Sequence, residues 1–280
     1  MQDYQTLIRA GELAAILNDP QLVVIDVRHD LSDHGLGARK YAESHIPGAH
    51  FLSVDNDLAA PRTGRNGRHP LPTPGALAAT LSAVGIDAGK QVIAYDQAQT
   101  TYGARLWWML RWLGHHNVAV LDGGLDAWVR AGFAVTTEVP ARQPARFIPA
   151  VSDSPVSVES LISHPDDVDY TVVDARGADR FRGENETIDP VAGHIPGARN
   201  RPYARNLNAD STFKDANMLR NEWLAELAGR TPQQIVHSCG SGITACNNIL
   251  AMEIAGLSGS RLYPGSWSEW SADPARPIAR

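Results

Sequence analysis

The feature that most restricts what this chain can fold into is an internal repeat. Val23-Val24-Ile25-Asp26-Val27-Arg28 returns as Val172-Val173-Asp174-Ala175-Arg176, and His45-Ile46-Pro47-Gly48-Ala49 returns as His194-Ile195-Pro196-Gly197-Ala198. Gln91-Val92-Ile93-Ala94-Tyr95-Asp96 is answered by Gln234-Ile235-Val236-His237-Ser238-Cys239, and Trp128 by Trp270. The separation shortens along the chain because the first half carries extra residues around Pro61 to Pro72. One duplication explains all four matches, so the chain must be two copies of one fold. Its 280 residues agree, at roughly 150 residues per domain.

Each half alternates short β-branched runs with longer amphipathic ones, the pattern of parallel strands joined by helical crossovers. Strands are expected at Val23 to Asp26, Val92 to Asp96 and Val118 to Asp122, and again at Thr171 to Asp174 and Ile235 to Cys239. Helices are expected at Thr6 to Asn18, Thr73 to Val84, Thr101 to Leu113 and Leu125 to Ala131, then at Ser157 to Ser163, Met218 to Ala228 and Ile243 to Ala255. The stretch from Val139 contains Pro140, Pro144 and Pro149 with no clean period, which reads as a linker. The expected division is a first domain over 1–138, a linker over 139–150 and a second domain over 151–280.

Composition excludes several functions. Hydrophobic residues at 43% and charged residues at 20% describe an ordinary globular core and not a disordered chain. A net charge of −6 without a long basic run gives no footprint for nucleic acid. No run approaches 18 apolar residues, and the start carries Asp3 and Arg9 in place of a signal-peptide core, so no membrane partner and a cytoplasmic location are expected. Two cysteines, Cys239 and Cys246, support neither a disulfide framework nor a multi-cysteine metal site.

The chemistry concentrates in Cys239-Gly240-Ser241-Gly242-Ile243-Thr244-Ala245-Cys246. A strand ends on a cysteine, a loop with two glycines follows, and an apolar helical pattern begins at once. That geometry aims successive N–H groups and a helix dipole at whatever sits over the sulfur. Glycines permit the unusual φ values and close approach such a cradle needs. A thiolate held there is a nucleophile, whereas an isolated cysteine at a strand end is more often a small buried hydrophobe. The Gly-Ser-Gly setting favours the nucleophile for Cys239. Cys246, two helical turns on, reads as the buried hydrophobe.

With these motifs, the paired HIPGA turns, Asp174-Ala175-Arg176, the Cys239 loop and the closing Tyr263-Pro264-Gly265-Ser266-Trp267-Ser268-Glu269-Trp270, nearly the whole chain resembles the tandem rhodanese sulfurtransferases of thiosulfate and 3-mercaptopyruvate. The resemblance implies an α/β fold of two tandem rhodanese-like domains, each a mainly parallel sheet flanked by helices. It also implies that only the second is catalytic, because Asp96 stands where the second half has Cys239 and a carboxylate cannot carry sulfane sulfur. Asp96 is followed by Gln97-Ala98-Gln99-Thr100, without the glycines expected of an amide cradle. Cysteine-dependent phosphatases share the strand-loop-helix idea, but they need an arginine six positions after the cysteine, and Ala245 stands there.

Thiosulfate-type members carry Arg and Lys after the cysteine, whereas Gly240 and Ser241 resemble the mercaptopyruvate type. In that type two arginines of the second domain hold the donor. Arg180 matches one, and the segment Glu184 to Ala192, where the other would fall, has none. His69 and Asp57 match first-domain positions that form a relay with the loop serine, here Ser241, able to protonate an enolate leaving group. A structural role for both is equally open. Gly240, Gly242, Ile243 and Thr244 complete the expected donor cradle, although Thr244 also suits a helix cap.

His45 and His194, shared by both halves, are expected to be structural. His115 and His116 lack partners at metal spacing, and Trp107, Trp108 and Trp112 read as core or interface. The implied reaction is ping-pong through a Cys239 persulfide, from a small sulfur donor to a thiol acceptor such as thioredoxin or glutathione, or to cyanide. No metal or organic cofactor is expected. The rival reading is a binding module that senses or relays sulfur to a protein partner with little turnover of small donors.

Overall fold

The computed structural model describes residues 3–151, 155–163 and 170–280. The chain forms two compact units. The first takes Met1–Ala60, Leu71–Ser154 and Ala209–Thr212, and the second takes Pro61–Pro70, Pro155–Asn208 and Phe213–Arg280. Short segments of each sequence half are thus counted with the other half's unit.

In the first unit the order is β1 (Leu7–Ile8), α1 (Ala10–Ile16), β2 (Leu22–Asp26), α2 (Leu36–Glu43), β3 (His50–Phe51), α3 (Pro74–Ala83), β4 (Gln91–Tyr95), α4 (Thr101–Trp112), β5 (Val118–Leu121) and α5 (Gly124–Arg130). The strands form one sheet in the order β1-β5-β4-β2-β3, all parallel. β4 and β5 are buried at every residue, which is why they read as continuous apolar runs and not as alternating ones. Ile8, Leu13, Val24, Ile46, Ile93, Leu121 and Trp128 meet in one core. α3 starts where expected because Thr73 accepts the Ala76 N–H at 3.3 Å and Pro74 fills the first turn.

The helix expected from Thr6 begins only at Ala10. Leu7 and Ile8 instead pair with Val120 and Leu121 as an edge strand; two adjacent apolar residues fit either period, and the ladder decides. The segment from Val139 to Ala150 has neither helix nor strand. It is nevertheless tied down: Ala145 N–H donates to the Ser82 carbonyl at 2.9 Å, Ala150 N–H to the Leu113 carbonyl at 2.8 Å, and Phe147 is buried.

The second unit runs α6 (Val158–Ser163), β6 (Thr171–Asp174), α7 (Ala178–Phe181), β7 (Arg199–Asn200), α8 (Ala216–Leu227), β8 (Ile235–Ser238), α9 (Thr244–Ile254), β9 (Arg261–Leu262) and α10 (Ser266–Trp270). Its sheet is parallel in the order β7-β6-β8-β9. Asp215 caps α8, accepting the Asn217 and Met218 N–H groups at 3.0 Å.

The repeat is physical as well as textual. Arg28 binds Asp26 at 2.6 Å and the Ser44 carbonyl at 2.6 Å, and Arg176 binds Asp174 at 2.7 Å and the Gly193 carbonyl at 2.8 Å. In each unit the Asp-x-Arg pair at a strand end therefore holds the start of the HIPGA turn. His45 and His194 lie in those turns with their rings bonded to the carbonyls of Tyr41 and Phe181, and Trp128 and Trp270 each donate Nε1–H to a carbonyl at 2.8 Å. Trp107 is buried and Trp108 stacks on Trp112.

Candidate active site

The strand register decides where the cysteine falls. Asp174 pairs with Ser238 across β6 and β8, so Cys239 is the first residue past the carboxyl end of a central strand, where open α/β sheets place their ligands. Its N–H donates to Ser266 Oγ at 3.0 Å, and Ser266 Oγ–H donates to the Tyr263 carbonyl at 2.9 Å. Its carbonyl accepts the Trp267 N–H at 3.0 Å and that of Gly240 accepts the Ser268 N–H at 2.9 Å. The closing Tyr263 to Trp270 motif therefore clamps the loop backbone, with Ser266 at φ 53 in the left-handed region that a non-glycine residue seldom enters.

The loop turns back over the sulfur. Gly242 takes φ 74 and donates its N–H to Cys239 Sγ at 3.1 Å, and α9 starts two residues later. Ile243, not Thr244, occupies the N-cap, and no side chain caps this helix, so the capping use of Thr244 is not found. Cys239 is 2% exposed and Cys246 is 0% exposed, both as free thiols. Cys246 Sγ donates to the Gly242 carbonyl at 3.2 Å, so the same glycine faces one sulfur as donor and the other as acceptor.

Two groups from the 61–70 segment stand beside the loop within the second unit. His69 Nδ1 lies 2.8 Å from Ser241 Oγ. Arg68 donates its backbone N–H to Ser268 Oγ at 3.0 Å. A Cβ added to Gly240 would come within 2.6 Å of Arg68 Nη2 and 3.6 Å of Arg180 Nη2. The missing side chain at Gly240 is thus what admits the Arg68 guanidinium to the loop, with that of Arg180 just beyond it.

These cations face buried acids. Arg180 makes a bidentate pair with Glu186, Nη2 to one oxygen at 2.8 Å and Nε to the other at 3.1 Å, and its Nη2 reaches Asp189 at 3.2 Å, and Arg68 Nη1 binds the other Asp189 oxygen. Arg176 links Asp174 to Glu186. Burial disfavours the charge of Glu186, but the Arg180 hydrogen bonds and the Asp189 and Ile188 amides outweigh it and hold its carboxyl below the usual range. At Asp189 burial prevails over Arg68 and Arg180, and its carboxyl is raised. His237, under the site in β8, is wholly buried and its pKa is pushed down to about 3, by burial and then by Arg201.

The structure thus gathers Cys239, Gly240, Ser241, Gly242, His69 and Arg180. Asp57 lies in the first unit, where it accepts the Ser53 N–H at 2.7 Å. Arg68, Glu186, Asp189 and Ser266 are the residues that sequence reasoning missed.

Asp96 follows β4 as Cys239 follows β8: Asp26 pairs with Tyr95 as Asp174 pairs with Ser238. Here one expectation fails. Without a glycine in the turn Gln97 to Thr100, three amides still converge, those of Thr100 and Tyr102 at 2.9 Å and Gly103 at 3.3 Å, because Thr100 itself adopts φ 53. The Asp96 carboxylate fills its own cradle. Burial raises its pKa and the three amides oppose the rise.

The rhodanese-like domain family matches residues 9–131 and 157–273. A protein of Pseudomonas aeruginosa named "Probable 3-mercaptopyruvate sulfurtransferase" is 46% identical over 279 residues, covering 98% of this chain and 97% of that one. The thiosulfate sulfurtransferase of Bos taurus is 30% identical over 271 residues, covering 94% and 88%. The crystal structure of SseA from Escherichia coli, a 3-mercaptopyruvate sulfotransferase by its description, superposes with a TM-score of 0.82 at 30% identity, covering 94% of this chain and 99% of that one. The chain belongs to the rhodanese family. Within it, it is an enzyme of the tandem-domain sulfurtransferase type. Among the described residues no helix is long and apolar enough to cross a membrane.

Proposed function

We propose that the protein moves sulfane sulfur from 3-mercaptopyruvate or thiosulfate, through a persulfide on Cys239, to a thiol such as thioredoxin or glutathione, or to cyanide. The observation that carries this reading is the Gly242 N–H on Cys239 Sγ at 3.1 Å, at the head of α9 and beside Arg68 and Arg180. An amide donor and a helix N-terminus beside the sulfur suit the anionic sulfur that the transfer passes through.

The thiolate attacks the donor's outer sulfur, and the bond from that sulfur to the rest of the donor breaks. Sulfite leaves from thiosulfate as a stable anion. From 3-mercaptopyruvate the leaving group is an enolate, which gains from a proton delivered through Ser241 by His69. Asp57 joins this relay on the resemblance alone. An acceptor thiolate or cyanide then attacks the terminal sulfur and restores the Cys239 thiolate. The second domain is the catalytic one on this reading, and a cytoplasmic location suits a reaction that needs free thiols on both enzyme and acceptor.

Steady-state kinetics with both donors on one preparation tests the reading. Ping-pong behaviour with the larger kcat/KM for 3-mercaptopyruvate is expected. Failure to turn over either donor, with sulfur accepted only from a protein, would replace it with the relay module.

A further inference from the structure

We propose that Asp189 is a built-in counter-anion of the donor site, and that the anionic group of a donor must compete with it for Arg68 and Arg180. The inference rests on the sulfurtransferase reading and names the residue that sets donor preference within it.

Asp189 bridges the two guanidinium groups, one oxygen to Arg68 Nη1 and the other 3.2 Å from Arg180 Nη2. Both arginines approach Gly240, the residue after the nucleophile, so the carboxylate takes up N–H groups of the paired cations that would otherwise hold a donor's carboxylate or sulfonate. Its side chain is 2% exposed, whereas those of Arg68 and Arg180 are 20% and 19% exposed. The arginines are accessible and the acid lies behind them. Arg68 Nε is buried without a hydrogen-bond partner among the described residues, so Arg68 retains donor capacity that Asp189 does not use.

Charge balance gives the consequence. Arg68, Arg176 and Arg180 face Asp174, Glu186 and Asp189, which leaves no net charge before the Cys239 thiolate is counted. An anionic donor therefore enters a site already neutral or negative, in a setting where Coulomb terms are large. Removing one negative charge helps every anionic donor, and a dianion most. Asp189 thus selects against thiosulfate more than against the singly charged 3-mercaptopyruvate. Burial already raises the Asp189 carboxyl, so its protonation at lower pH acts in the same direction.

The test is Asp189→Asn, which keeps the shape and one acceptor oxygen. The expected result is a KM for thiosulfate lowered by about tenfold, a smaller drop for 3-mercaptopyruvate, and kcat changed less than about threefold. A second measurement is independent of turnover: calorimetric titration of sulfate into Cys239→Ser protein with and without Asp189→Asn. Sulfate binding should tighten by about tenfold in the double variant. In Cys239→Ser alone it should strengthen as pH falls, and this trend should be smaller when Asp189 is replaced, His69 being the other titratable group beside the loop. Unchanged or weaker sulfate binding, or KM rising for both donors, would make Asp189 a structural brace and overturn the proposal. Failure of the wild type to form a Cys239 persulfide would instead overturn the sulfurtransferase reading, and the sulfate titration tells the two apart.

Discussion

His69 Nδ1 and Ser241 Oγ lie 2.8 Å apart, and the two residues are only 1% and 4% exposed. A hydrogen bond this well shielded can deliver a proton without exchanging it with solvent first. Positioned acids typically contribute about 10²- to 10⁴-fold. His69→Ala and Ser241→Ala are therefore expected to lower kcat/KM for 3-mercaptopyruvate at least about tenfold more than for thiosulfate, and Asp57→Asn to act in the same direction more weakly. Equal losses on both donors would remove the relay.

Gly240→Ala places a methyl 2.6 Å from Arg68 Nη2. A guanidinium at the end of a flexible side chain can move aside, so the fold tolerates the change and the donor site does not. Expected are a melting temperature within a few degrees of wild type, and a rise in donor KM of roughly tenfold from the loss of one charged hydrogen bond worth about 1.5 to 3 kcal/mol. Unaltered KM would show that Arg68 takes no part in donor binding.

Arg180→Lys keeps the charge and loses the bidentate fork that Glu186 now fills. Breaking one partner out of a buried ion pair costs about 3 to 5 kcal/mol, so Arg180→Ala should destabilise measurably while Arg180→Lys does so less. Both should reduce kcat/KM for 3-mercaptopyruvate by about tenfold or more. Urea denaturation run beside the kinetics separates the two effects.

His237 makes one pH-dependent contribution to stability. Its folded pKa, about 3, lies below the unfolded value near 6.5, so the unfolded chain binds the extra proton between those limits. The stability it contributes is complete above pH 6.5 and is lost as pH falls toward 3, at up to about 1.4 kcal/mol per pH unit. Urea midpoints measured from pH 7 to pH 4.5 should fall more steeply for wild type than for His237→Phe. Parallel slopes would assign the acid sensitivity to other groups.

How much of this was legible follows from what lies along the chain and what is brought together across it. The parallel strands are legible because buried central strands such as Val118–Leu121 are continuous apolar runs. Cys239 is legible because its loop, its glycines and its helix are contiguous. Short edge strands such as Arg199–Asn200 and the four-residue helix Ala178–Phe181 carry too few residues to show a period. Arg68, Glu186 and Asp189 are charged residues in irregular segments, and their meeting is a tertiary fact with no local signature. Asp96 shows the limit of a composition rule, since Thr100 at φ 53 performs a turn for which glycine was expected.

Asp96 also marks what a cradle alone cannot do. Three amides already converge there, yet the guanidinium groups of Arg68 and Arg180 stand at Gly240, beside Cys239. The double variant Asp96→Cys, Cys239→Ser is therefore expected to transfer sulfur at less than about 1% of the wild-type rate. A rate near wild type would mean that the amide cradle suffices for catalysis.

The central claim is that Cys239 alone carries the sulfur, because Gly242 turns its N–H toward that thiol and its carbonyl toward Cys246. Intact-mass spectrometry after donor treatment, followed by peptide mapping, measures this directly. One added sulfur atom on wild type and on Cys246→Ser, located on Cys239, and none on Cys239→Ser is the predicted result. A persulfide found mainly on Cys246, or retained in Cys239→Ser, would contradict the account.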